Sequence, residues 1–298
     1  MELSDTTKGF LHSLMGTFLL STNFVTAKYG LRGFNPETFS LVWTSAAVFY
    51  AFIFNVSTKG IRKLVIPSQS VNKILILGIF TGAGMLLTWA GLSELDPTFQ
   101  SFIYRFQPAL NIGLAALFLG ERILVKEVFP FILMVAGGLI SFIGRWDVVG
   151  IGVILTLLAI MAVAGQMLIA KERIKDVDSN VMVFYRVLFG AIVIAIWTFS
   201  TGKADFHVEL SYWLITLLGA LLGPTLSWVF TFRSYQYWEL SRSSIVLTIQ
   251  PLFVFPMAYV FLGQLPEENE ILGGIIILIG AMWLMWVHYS HVRNILDS

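Results

Sequence analysis

Ten apolar runs, separated by short polar connectors, occupy residues 10–28, 37–56, 74–93, 98–119, 124–144, 150–170, 180–200, 211–232, 243–262 and 270–288. Each is close to the ~20 residues that an α-helix needs to cross the hydrocarbon core of a bilayer. The runs are continuous, unlike the short alternating segments of a membrane β-barrel. The connectors leave no room for a soluble domain. The pattern predicts an all-α membrane protein of ten transmembrane helices.

Composition supports the bilayer as solvent. The chain has 298 residues, 57% hydrophobic and 12% charged, with a mean hydropathy of +0.80. A soluble domain carries about 25% charged residues. The net charge of +1 gives no basic field for a nucleic acid. The lack of cysteine removes disulfides, thiol nucleophiles and zinc–cysteine sites. The opening MELSDTTKGF has neither the basic region nor the cleavage site of a secretory signal, so the first run is expected to be a retained span. With that end inside, thirteen Lys and Arg fall in cytoplasmic connectors and four outside (Lys28, Arg32, Arg145 and Lys203). This bias sets both termini in the cytoplasm and the acidic stretch 266–270 outside. The other two of the nineteen cations, Arg105 and Arg186, lie within spans.

The sequence repeats weakly at one offset. Gln107-Pro108 returns 143 residues later as Gln250-Pro251, Ala27-Lys28 as Ala170-Lys171, and Leu117–Glu121 (LFLGE) as Val260–Gln264 (VFLGQ). Asn23 matches Gln166, and Gly78 and Gly82 match Gly219 and Gly223 at an offset of 141. Several matches in order argue for duplication. The halves are residues 1–146 and 147–298, five spans each, within one integrated transmembrane domain. An odd number of spans inverts the second half, giving two inverted five-helix repeats. Such repeats place a solute site near the midplane, which rocking of the halves exposes to either side.

The ten spans, the two halves, the prolines in spans four and nine, and above all LGERILVKEVFPFILMVAGGLI (Leu119 to Ile140) resemble the EamA-type branch of the drug/metabolite transporter superfamily. The resemblance covers nearly the whole chain. It implies a secondary transporter of a small organic metabolite by alternating access, with export of amino acids among the family's activities, in a bacterial inner membrane. Two departures stand out. Gln264 replaces the expected second Glu, and Gln precedes each mid-span proline where many relatives carry Glu.

Polar residues inside the spans supply the candidate site. Arg105 lies seven residues into span four, roughly 10 Å deep. A lipid-facing arginine there costs about 2.5–3.5 kcal/mol. A place on a water-filled cavity, binding a carboxylate, relieves that cost; snorkelling, or a pair with Asp96 or Glu94, is the alternative. Thr248 holds the matching place in the other half, so the duplicated scaffold does not itself demand an arginine. Asn23 and Gln166 lie mid-span and either bond across helices or line the cavity. Tyr104, Trp89 and Trp228 are candidates for its apolar wall, and an aromatic amino acid is one solute that would fit them. Gln107 and Gln250 precede prolines that free backbone carbonyls for substrate or for a bend. Pro108, Pro251 and Pro224 are therefore candidate hinges. Arg186 sits near the end of span seven, where snorkelling suffices, and Glu121 closes span four.

No carboxylate or histidine lies at a span centre, so uniport or exchange is simpler than a proton relay. The same absence leaves no metal or cofactor site and little ground for an intramembrane enzyme. A channel-like or structural multi-pass protein remains the other alternative. The partners implied are a small-molecule solute and the lipid bilayer, with no nucleic acid; a homodimer is compatible with this reading.

Overall fold

The computed structural model describes residues 4–119, 125–141, 146–238, 240–247, 249–265 and 267–296. All regular structure among them is helical. The thirteen α-helices are α1 (Asp5–Gly30), α2 (Pro36–Lys59), α3 (Val71–Glu94), α4 (Pro97–Ile103), α5 (Gln107–Leu119), α6 (Val128–Ser141), α7 (Trp146–Arg173), α8 (Ser179–Ser200), α9 (Leu210–Ala220), α10 (Trp228–Tyr237), α11 (Leu240–Leu247), α12 (Gln250–Leu262) and α13 (Glu268–Leu296). A 3₁₀ turn, Tyr104–Phe106, joins α4 to α5, and a π-helical segment, Leu221–Ser227, joins α9 to α10. Counted through these breaks, and with α11 and α12 taken together, the described residues form ten helical segments.

Among the described residues, five segments are long and apolar enough to cross a membrane: Pro36–Thr58, Ser68–Glu94, Gly150–Arg173, Ser179–Ser200 and Leu210–Tyr237. α1 is long enough but less apolar, because it is dense in hydroxyls. Thr17 and Ser21 each donate within the helix, to the carbonyl four residues back, at 2.8 and 2.7 Å, so these hydroxyls still fit a medium without water. Large apolar side chains such as Phe49, Trp197 and Leu214 are exposed on the outer face, as a lipid-covered surface permits.

Local sequence explains the helix starts. Asn35 caps α2, its Oδ1 accepting from the Thr38 amide at 2.8 Å, with Pro36 at the first helical position. Asp178, 143 residues later, caps α8 by accepting from the Asn180 amide at 3.0 Å. Pro108 and Pro251 stand second in α5 and α12, where a missing amide donor costs nothing. Pro224 is different, because it lies inside the π segment and has no amide to offer Ala220. The wider π turn passes over the proline, and the Thr225 hydroxyl adds a bond to the Ala220 carbonyl at 3.0 Å.

Packing runs mainly between the halves. α1 packs on α9, the π segment and α10; α7 packs on α3; α2 on α8, α5 on α11, and α6 on α13. Exchanging the first five segments with the second five maps this set of contacts onto itself. Glycines permit the closest approaches. A Cβ on Gly78 would collide with Phe189, and one on Gly223 with the Asn23 carboxamide. Gly223→Val should therefore overpack the contact of α1 with the π segment, at a cost of about 1–3 kcal/mol. The check is a lower thermal midpoint and less monodisperse protein in detergent; an unchanged midpoint would mean that the helices separate freely there.

Candidate functional site

The breaks in segments four, eight and nine converge on a cavity between the halves. Its walls include Asn23 from α1, Met85, Thr88 and Trp89 from α3, Tyr104 from the 3₁₀ turn, and Gln107 from α5. The second half contributes Gln166 and Met167 from α7, Arg186 from α8, Trp228 from α10 and Gln250 from α12. The space open to the centre of a water-sized sphere is ≈ 70 Å³, room for about five waters.

Arg186 is the cavity's cation. It is 0% exposed, so the snorkelling expected from its place near a helix end is corrected. α8 is covered by α2, α3 and α10, which leaves its inward face no route to a headgroup. The guanidinium carbon lies over the Trp228 ring, 4.0 Å from its centroid, a cation–π contact. Nη1 donates to Gln166 Oε1 at 3.0 Å and Nη2 to the Pro224 carbonyl at 2.8 Å, while Nε has no partner. Both acceptors are neutral.

Gln166 is held to serve that role. Its Oε1 also accepts from the Thr81 hydroxyl at 2.9 Å, and its Nε2 donates to the Phe80 carbonyl at 3.2 Å. It thus both bonds across helices and lines the cavity. Asn23, its repeat mate, lines the cavity at 7% exposure with its Oδ1 unpartnered. Gly223, with no side chain, lets that carboxamide lie against the π segment.

Arg105 is 1% exposed and is not among the residues on the cavity wall. Its Nε donates to the Ser101 carbonyl at 3.0 Å and its Nη2 to Gln250 Oε1 at 2.5 Å, leaving Nη1 unpartnered. It reaches the cavity through Gln250, tying the break in segment four to the break in segment nine. Asp96 is engaged elsewhere, capping α4 through the amides of Thr98 and Phe99 at 2.8 and 3.3 Å.

Tyr104 meets Thr88 at 2.7 Å. The Thr88 hydroxyl already donates to the Gly84 carbonyl at 2.6 Å, so the tyrosine is the donor of that pair. Trp89 packs edge-on against Trp43 and Phe39, at ring distances of 5.2 and 5.4 Å. Gln107 donates to the Met167 sulfur at 2.9 Å. Seven of the nine residues predicted for the cavity thus meet on its wall: Asn23, Trp89, Tyr104, Gln107, Gln166, Trp228 and Gln250. Arg105 stands behind it; Thr248, like Glu121, lies outside the described residues.

Sequence reasoning missed Arg186 as a wall residue, along with Thr88 and Met167. A usable signal existed for Arg186: the apolar run continues on both sides of it.

The EamA-like transporter family model matches the chain twice, at residues 7–143 and 150–286. One solved structure, described only as the crystal structure of a protein, has a similar fold, with a TM-score of 0.70 at 16% identity over 95% of this chain and 98% of that one. No curated protein matches. Two successive matches spanning nearly the whole chain place this multi-pass protein in the EamA-like transporter family, membrane transporters of small solutes.

Proposed function

We propose that the chain is a secondary carrier, working as an exporter, of a small carboxylate-bearing metabolite such as an amino acid. Ten crossings, with both termini in the cytoplasm, would form two inverted halves, residues 1–146 and 147–298, that alternate about the central cavity. The prolines at 108, 224 and 251 would act as its hinges, and a bacterial inner membrane as its setting. The observation that carries the reading is a cavity with an aromatic wall and a fully buried arginine that has no acidic partner among the described residues. A buried charge is costly unless it is paired, and an anionic solute is a partner that arrives only when transport requires it.

The test is counterflow in liposomes containing the purified protein. Saturable exchange of a labelled amino or organic acid against its unlabelled form is expected. Linear flux would indicate a channel, and absence of flux for every carboxylate tried would remove the substrate class.

Orientation has its own test, which the cysteine-free chain makes clean. A cysteine at Glu268 should react with an impermeant maleimide in intact cells, and one at Arg62 only after permeabilisation. The reverse pattern would turn the molecule over.

A further inference from the structure

We infer that Arg186, rather than Arg105, selects carboxylate-bearing solutes by offering the free edge of a guanidinium held over the Trp228 ring. This rests on the reading of the chain as a carboxylate carrier and names the side chain that does the recognising.

The two buried arginines differ in what they have left to give. A guanidinium carries five N–H donors in a rigid fork. Arg186 spends one on Gln166 and one on the Pro224 carbonyl, and its Nε is unpartnered. It lies on the cavity wall. Arg105 is off the wall, and its bonds run to its own helix and to Gln250. A solute therefore meets the Arg186 guanidinium directly and meets Arg105 only through the Gln250 amide.

Trp228, Gln166 and Pro224 act on Arg186 as a clamp. The ring under the guanidinium and the two neutral acceptors together hold the fork in place. A carboxylate then docks without ordering a flexible cation first, which favours binding. Pro224 contributes because the π segment turns its carbonyl toward α8.

The repeat shows that this charge is an addition to the scaffold. The position 143 residues before Arg186 is Trp43, part of the aromatic cluster behind Trp89. One side of the cavity thus carries a cation and the other an aromatic wall. A solute with a carboxylate and an apolar body is oriented with its charge toward α8 and its body toward α3.

The experiment measures thermal stabilisation of the purified protein, followed by intrinsic tryptophan fluorescence, with alanine, leucine, phenylalanine and 4-methylpentanoate, each paired with its primary amide. A ligand that binds only the folded state raises the midpoint in proportion to its affinity. The parent protein should prefer the carboxylate of at least one pair by about 10-fold or more. Arg186→Gln should bring that ratio to within about 2-fold, and Arg105→Gln should leave it unchanged. Arg186→Lys keeps the charge without the fork, so an intermediate ratio is expected; it also serves as the test if Arg186→Gln does not fold. A parent preference that survives at Arg186 and collapses at Arg105 overturns this inference and leaves the proposed function standing. No preference in the parent for any pair overturns both.

Discussion

Lys28→Met and Lys171→Met should each lower the thermal midpoint of the detergent-solubilised protein by about 5 °C, and the double variant by roughly twice that. Lys28 Nζ donates to the carbonyls of Leu92, Ser93 and Leu95 at 2.8, 3.2 and 2.7 Å, at the C-terminal end of α3. Lys171 Nζ donates to the carbonyls of Tyr235 and Trp238 at 3.0 and 2.8 Å, at the C-terminal end of α10. Leu92 and Leu95 lie 143 residues before Tyr235 and Trp238, so the offset that relates the lysines also relates their acceptors. Each lysine places a positive charge on the negative end of a helix and fills carbonyls that the helix cannot pair. Methionine keeps the length of the chain and removes the donor, at about 2 kcal/mol per site once partial exposure is allowed for. These ties matter because α1 and α7 pack chiefly on the opposite half; the lysines bind them to their own. Lys→Arg at either site should recover part of the loss, since the charge persists in a less compact form. Midpoints within about 1 °C of the parent for both methionine variants would show that water caps these ends equally well.

Those lysines illustrate what the sequence makes legible and what it does not. The match of Ala27-Lys28 to Ala170-Lys171 is visible at the level of letters. Their acceptors are backbone carbonyls more than sixty residues away, and carbonyls leave no mark in a sequence. The amide part of the cavity was legible because Asn23 and Gln166 match at mid-span, and Gln107 and Gln250 precede matched prolines, where an amide in lipid must find a partner. Arg186 was misjudged by counting from a helix end, which ignores that an inward face has no headgroup to reach. The π segment was legible only as a proline, since its i→i−5 backbone pairing leaves no mark in the sequence. Helix existence followed from apolar length, while the breaks at 104–106 and 221–227 followed from local substitutions that length does not register.

Arg105→Met should leave the amount of folded protein near that of the parent, yet raise the rate at which an impermeant thiol reagent reaches a cysteine placed at Met85 by about 10-fold or more. The first half follows from the cost of burying a charge. Arg105 is 1% exposed with Nη1 unpartnered, and an unbranched apolar side chain removes that desolvation burden. The loss of the bond to Gln250 acts in the opposite direction, so the net change in stability is small. The second half follows from where the bond sits. It spans the breaks of segments four and nine, the points at which the two halves would bend against each other. A charge-assisted bond of about 1.5–3 kcal/mol favours the arrangement in which it is made. Removing it shifts the balance of arrangements by roughly 10- to 100-fold. Five polar wall residues, Asn23, Gln107, Gln166, Arg186 and Gln250, are 7, 6, 2, 0 and 2% exposed in this arrangement, so one that parts the halves at these breaks would expose them. Gln250→Ala should reproduce the effect, and Arg105→Met combined with Gln250→Ala should add nothing further, because both variants break one bond. Additive increases would mean that the two side chains act separately. Unchanged labelling in either single variant, at equal folded protein, would show that the bond between the breaks does not hold the cavity shut.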